Sequence, residues 1–462
     1  MSTKLGQTTS HICLISIITQ IGREPCEIGS SIMLYKKDDN VSFSSFRRLA
    51  LSVTNSNSLH YITIQFLIAG VLGILFGTIW GGPLWLVGFL VFVPVIWFKL
   101  NTYESTIYIF SYYLFSLKPL PVLFSRYNNP FSKENFSFAF IPLWIVYAIL
   151  LSVPWVIVKT ILSKVRKDWL VLVCVPIIIG VIPPFYILGL ASPIESCGIL
   201  FPGTGFIGIF FYFVLIASLC SIKRNSVRER LLYILIPALL FSAYLNIGLK
   251  SLVLPKDWVA VSTKFSPLAS KSENQRRYYF LITSIKSLVD NGYHVLVFPE
   301  NAIGLWSRKT KKLWMPLVNY AKNNGVTVLS GAYIHDVSVR DDKLDGGIVA
   351  IGKKNGVVYL TRQPVPIAEW IPFDSKGERV HWFSRGTSYV NKQKVAFTVC
   401  YEELLPGIIL SSFLSFVEPN LIISVANNWM GEGTEEWRAQ LSSISVMSRL
   451  FGVPLLRSWN RQ

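Results

Sequence analysis

The chain has 462 residues, 52% of them hydrophobic and only 15% charged, and its mean hydropathy is +0.45, a balance that excludes a wholly water-exposed globule. The net charge of +18 does not point to nucleic acid, because much of it lies in short loops between apolar stretches, where basic residues mark the cytoplasmic side. Six cysteines without a CxxC pair, and without metal-type spacing to the five histidines, give no disulfide framework, no metal site and no cofactor signature.

Residues 1–60 form an N-terminal segment in which His11–Ile21 is apolar but too short to span, with no small-residue cleavage site after it. Between 61 and 250 the apolar stretches approach the ~20 residues that cross a bilayer. Seven spans are expected: Ile62–Trp80, Leu84–Phe98, Thr106–Phe124, Phe138–Val158, Trp169–Leu190, Phe206–Ile222 and Leu231–Gly248. Basic residues cluster before the first span (Lys36, Lys37, Arg47, Arg48), after the fourth (Lys159, Lys164, Arg166, Lys167) and after the sixth (Lys223, Arg224, Arg228, Arg230). The loop after the third, with Lys118, Arg126 and Lys133, breaks the alternation. The balance still favours an inside N-terminus, and seven crossings then put residues 255–462 outside the cytoplasm.

From Asp257 short β-rich runs alternate with helical ones, as in an α/β layered domain. WVAVSTKF, HVLVFPE, VTVLSGAYI, VAFTVC, NLIISVAN and PLLRSWN read as strands, and GGIVAIGKKNGVVYLTRQ as a hairpin turning at Asn355-Gly356. Helices are expected over Glu273–Asp290 and Lys312–Asn324, from Glu402, and from Thr434. Two of the apolar strands end in residues of catalytic type, Glu300 and Cys400, and ligands bind at strand ends in such folds. A thiol needs a base or an electropositive site to attack at neutral pH. His381, in ERVHWFSRG, has no triad context, whereas a desolvated carboxylate at Glu300 would serve.

FPENAIG, VYLTRQPVPIAEWIPF and TVCYEELLP, in that order, resemble the nitrilase (carbon–nitrogen hydrolase) superfamily and, within it, apolipoprotein N-acyltransferases. The wording is nearest to the conjugative-transfer TraB branch, and the resemblance spans roughly residues 60–460. It implies a polytopic helical membrane domain followed by an αββα sandwich, in a bacterial inner membrane with the sandwich facing the periplasm. It further implies Cys400 as nucleophile, Glu300 as general base and Glu369 as a second acid near the thiol. Glu402 would shape the site, and Asn427, Asn428 and Trp429 would line the pocket. By the same resemblance, a phospholipid donates an acyl chain through a Cys400 thioester to a lipoprotein-like amine, with membrane lipids as surroundings.

Two departures matter. The family's lysine falls at Thr361, eight residues before Glu369, and neighbouring Arg362 would reach the site as an oxyanion donor only through a local bulge. The chain stops at LLRSWNRQ where relatives continue, so a C-terminally truncated sandwich is expected. Apolar walls beside the thiol would come from Leu305-Trp306 and Trp370-Ile371-Pro372, unless these are interfacial anchors. A non-catalytic membrane component used for assembly stands as the alternative.

Overall fold

The computed structural model describes residues 63–461 except 129–137, 165–169, 222–226, 267–270, 336–342, 373–376 and 432. The N-terminal segment, and loop cations such as Lys133, Arg166, Lys167, Lys223 and Arg224, lie outside the described residues.

The apolar half folds as helices α1 (Thr63–Ile79), α2 (Leu84–Lys99), α3 (Thr102–Ser116), α4 (Leu120–Asn128), α5 (Ile141–Lys164), α6 (Gly205–Ser221) and α7 (Val227–Gly248). Among the described residues only the 27-residue helix Phe138–Lys164, which contains α5, is by itself long and apolar enough to cross a membrane. The expected span Thr106–Phe124 is bent by 43° between α3 and α4. Pro119 removes a helix donor there, and Lys118 turns aside to pair with Glu435 at 2.5 Å. The expected span Trp169–Leu190 is instead a chain of short helical pieces, Leu170–Cys174, Val175–Ile179 and Phe185–Gly189. Pro176, Pro183 and Pro184 each remove a donor that a continuous helix would need. Apolar side chains remain exposed along α5 (Val146, Ile149, Ile157) and α7 (Leu239, Leu240, Ile247).

The second half contains β1 (Trp258–Ala260), α8 (Lys271–Asp290), β2 (Val295–Phe298), β3 (Leu305–Trp306), α9 (Arg308–Asn323), β4 (Thr327–Ile334), β5 (Asp345–Gly352) and β6 (Gly356–Leu360). It continues with β7 (Thr387–Val390), β8 (Gln393–Val399), α10 (Pro406–Phe413), β9 (Leu421–Asn427), α11 (Glu436–Phe451) and β10 (Leu455–Asn460). One sheet runs β1-β2-β4-β5-β6 with β3 beside β4, and the other runs β10-β9-β8-β7. Period-two alternation explains the layers. Val295 and Val297 face the second sheet while Leu296 and Phe298 face α8 and α9. On β8, Val395, Phe397 and Val399 point inward, and Ala396 points to the outer helices. The order is therefore α8/α9, sheet, sheet, α10/α11.

The β5–β6 hairpin forms as its Asn355-Gly356 turn predicts, with the Asn355 Oδ1 accepting the Gly352 N–H at 3.0 Å. Strand β7 was absent from the expected elements. It pairs with β8 across Asn391-Lys392, both in the left-handed region (φ 43° and 69°), a turn chemistry that Lys392 does not advertise. The outer faces of α10 and α11 are covered by the helical half, where Ile408, Met447 and Leu450 join Tyr186, Ile194 and Cys197 in one core.

Candidate active site

Strand β8 delivers Cys400 into a 3-10 turn, Cys400–Leu404, and the residue sits at φ 47°, a left-handed conformation that costs any side chain energy. The helix expected from Glu402 begins instead at Pro406, because this turn intervenes. Glu300 lies two residues beyond β2, and its backbone crosses β4 at Gly331, where a Cβ would stand 2.4 Å from the Glu300 Cα. That approach requires glycine. Glu300, Cys400 and the Asn427 backbone are close neighbours, near enough for the Glu300 charge to act on the thiol. Glu369 is held by the Val365 N–H, 3.0 Å from its Oε2.

Electrostatics favour the neutral forms. Burial, and then the Glu369 charge, raise the Glu300 carboxyl well above its usual range. Burial, with the charges of Glu300 and Glu369, raises the Cys400 thiol in the same way. The resting pair is thus a neutral thiol beside a neutral carboxyl group, and attack requires Glu300 to ionise before it can take the thiol proton.

A third carboxylate, Glu378, joins the cluster and was not foreseen. Burial, then Glu369 and Glu300, push it well up. One of its oxygens lies over Gly346, at 2.3 Å from where a Cβ would be, and the Thr361 hydroxyl lies 2.9 Å from the same point. Only glycine leaves Glu378 that space. Tyr333 faces the cluster as well: burial, then Glu369, Glu378 and Glu300, raise its phenol. Thr361, where the resemblance expects lysine, is buried with its hydroxyl unpartnered. Among the described residues no Lys or Arg pairs with Glu300, Glu369 or Glu378. Glu378 opens ERVHWFSRG and Tyr333 lies in VTVLSGAYI, but neither sits in the three stretches that carry the resemblance; an acid flanked by Gly377 and Arg379 reads as surface charge.

Arg362 does not serve as the oxyanion donor. Its Nε donates to the Tyr359 hydroxyl (3.2 Å), Nη1 to Ser411 (2.8 Å), and Nη2 to Ser412 and the Ile408 carbonyl (2.7 Å each). Its side chain therefore leaves on the side opposite Thr361, as neighbours on an extended segment do. Glu402 is the matching pillar. It accepts from the Arg362 and Gln363 backbones (2.6 and 3.1 Å), from Tyr359 (2.6 Å) and from the Val399 N–H (2.9 Å). Glu402 thereby ties the end of β8 to the segment after β6. Glu403 is paired with Arg457 at 2.6 and 2.7 Å beneath the turn.

Cys400, Glu369, Asn427 and Asn428 border a cavity of about 110 Å³. Leu120, Leu123, Phe124 and Tyr147 of the helical half form its apolar wall. Asn428 donates to Gln440 and, at 3.5 Å, to Glu436. Glu436 is pushed up to about 7 by burial and by the Glu403 charge. Trp429 is half-buried and does not line this cavity, whereas Met430 and Gly431 do. The expected walls are also elsewhere. Trp306 packs into the core between the first sheet and α8/α9, and Trp370 stacks edge-on against Trp382. His381 pairs with Asp345 at 2.7 Å, away from the thiol.

No protein-family model matches the chain. It is similar to the probable conjugal transfer protein TraB of Sinorhizobium fredii (strain NBRC 101917 / NGR234), 27% identical over 420 residues, spanning 86% of this chain and 97% of that protein. It is also similar to the conjugal transfer protein TraB of Agrobacterium fabrum (strain C58 / ATCC 33970), 26% identical over 287 residues, 60% of this chain and 64% of that one. Among solved structures, a carbon–nitrogen hydrolase from Helicobacter pylori G27 superposes with a TM-score of 0.32 at 11% identity, over 43% of this chain and 72% of that one.

Proposed function

We propose that this chain is a multi-pass inner-membrane thiol acyltransferase of the apolipoprotein N-acyltransferase type, serving conjugal transfer with its sandwich on the periplasmic side. The observation that carries the proposal is the buried Cys400 thiol, with Glu300 beside it, at the border of a cavity walled by the apolar helices. The exposed apolar faces of α5 and α7 suit lipid contact. Paired with the short neighbouring helices, they favour several crossings.

In the first half-reaction Glu300, once ionised, takes the thiol proton as sulfur attacks the ester carbonyl of a phospholipid. Collapse of the tetrahedral adduct breaks the ester C–O bond, and Glu300 returns the proton to the leaving alkoxide. In the second, an amine attacks the thioester carbonyl, its proton passes to Glu300, and the C–S bond breaks to regenerate the thiol. The donor's chain would lie along Leu120, Leu123 and Phe124. Intact mass spectrometry of protein taken from its own membranes without thiol reductant tests this. An acyl-sized, hydroxylamine-labile adduct on Cys400, absent in Glu300→Gln, is the expected result. A bare thiol in the unaltered chain would refute it.

The three carboxylates, with no Lys or Arg paired to them among the described residues, favour a second reading, a nitrilase-like component retained for assembly of a conjugation or envelope complex. Cys400→Ala separates the two, since an assembly protein would keep its function in transfer.

A further inference from the structure

A second cavity, of about 670 Å³, opens on the other side of the Tyr359–Arg362–Glu402 network. Its volume falls in the range of about 300–1,000 Å³ typical of small-molecule sites. Among the described residues three cations line it, Arg362, Arg385 and Lys394, and no Asp or Glu does. Hydroxyls of Ser384, Ser411 and Ser415 stand among them, and the Ser384 hydroxyl is buried without a partner. Arg362 forms the floor and spends its donors on neutral acceptors. Lys394 bonds Ser415 at 2.9 Å and the Val417 carbonyl. Among the described residues Arg385 makes no hydrogen bond or ion pair, so its guanidinium is free for a ligand.

Arg385 and Lys394 without a carboxylate partner, beside the unfilled Ser384 hydroxyl, are the chemistry of an anion site, and guanidinium and ammonium groups together suit a phosphate. The rim tells which kind. Phe416 and Phe383 are 112% and 78% exposed, Val417 is 54% exposed, and all three line the opening. Pro183 and Tyr186 of the helical half close the remaining edge, next to exposed Ile182 and Phe185. A free inorganic anion would leave this apolar rim in water. A phosphate bearing a glyceride would cover it.

We propose that this cavity is a head-group site for a membrane phospholipid, with Arg385 and Lys394 holding the phosphate and Phe383 and Phe416 seating the glyceride end. The site lies apart from the thiol cavity and stands whether or not Cys400 turns over. The test uses the full chain in a neutral maltoside detergent, titrated with phosphatidylglycerol, with the matching diacylglycerol and with inorganic phosphate, bound ligand being read by native mass spectrometry. Saturable binding of phosphatidylglycerol is expected, weakened about tenfold or more in Arg385→Glu and further in Arg385→Glu/Lys394→Gln. Arg385 is exposed and unbonded, so an unchanged melting temperature of its variant will show that loss of binding is local. Equal affinity in the unaltered chain and both variants would overturn the proposal. Inorganic phosphate binding as tightly as the lipid would overturn the lipid as ligand, and diacylglycerol binding as tightly would overturn the phosphate contact.

Discussion

The two cavities flanking the Glu402 turn are opposites in charge. On the Cys400 side Glu300, Glu369 and Glu378 gather, and the one cation lining that cavity among the described residues, Lys118, pairs with Glu435; on the other side Arg362, Arg385 and Lys394 gather, with no carboxylate among the described lining residues. Thr361 and Arg362, adjacent in the chain, send their side chains to the two sides. A positive charge at position 362 therefore supports the turn from behind and does nothing directly for the thiol. Placement one residue earlier would have put it among the carboxylates. The difference teaches that this site keeps its charge balance with protons, since neighbouring buried carboxylates cannot all ionise.

The largest effect expected is on the thiol side. Glu300→Gln removes the carboxylate that would take the Cys400 proton and should lower the rate of acyl-enzyme formation by about 10²–10⁴. Time-resolved mass spectrometry of Cys400 checks it, and an undiminished rate would dismiss Glu300 as the base. On the opposite side, Arg362→Met strands Glu402 and Tyr359 without their cation. Losing the guanidinium's buried hydrogen bonds and leaving Glu402 without that charge costs about 3–5 kcal/mol, which denaturant titration will read as a lowered midpoint. A change below about 1 kcal/mol would mean that Glu402 does not depend on this guanidinium.

Thr361→Lys erases the contrast by placing an ammonium among the three carboxylates. An added cation favours the charged forms, so the Cys400 thiol and Glu300 carboxyl should both titrate lower. Alkylation of Cys400 by iodoacetamide at neutral pH should then rise about tenfold, with its pH profile displaced downward. An unmoved profile would show that the lysine does not reach the cluster. The smallest effect concerns Glu378→Gln. Burial holds the Glu378 carboxyl above its ordinary 4.5 in the folded chain, so folding takes up a proton above that pH and stability falls as pH rises through the window. Glutamine carries no such penalty. The melting-temperature difference between variant and parent should be small near pH 4.5 and grow in the variant's favour as pH rises. A constant difference would mean that Glu378 titrates normally.

Asp345 behaves in the opposite sense and delimits that experiment at the acid end. Burial alone would raise it, but hydrogen bonds from His381 and Arg379 hold it at about 2, below its ordinary 3.8. Its contribution is present above 3.8 and fades as pH falls toward 2. Melts taken above pH 4.5 therefore report Glu378 without interference from Asp345.

What the sequence by itself determined is what local pattern encodes. Alternating apolar residues placed β2, β4, β8 and β9, Asn355-Gly356 turned the hairpin, and strand ends marked Glu300 and Cys400 as neighbours in chemistry. Hydropathy located the apolar half but overstated its continuity, because window averages do not register the donors lost at Pro119, Pro176, Pro183 and Pro184. Only the tertiary structure decided which side chains share a cavity. Glu378 and Tyr333 reach the thiol's surroundings from separate strands and loops, and Glu402 turned out to be a buried pillar where a helix-start acid was expected. The walls beside Cys400 come from Leu120 and Phe124, nearly 300 positions earlier, so no spacing along the chain could signal them. Side-chain direction at Thr361 and Arg362 depends on how the segment after β6 packs against α10, and that long-range contact set the charge of both cavities.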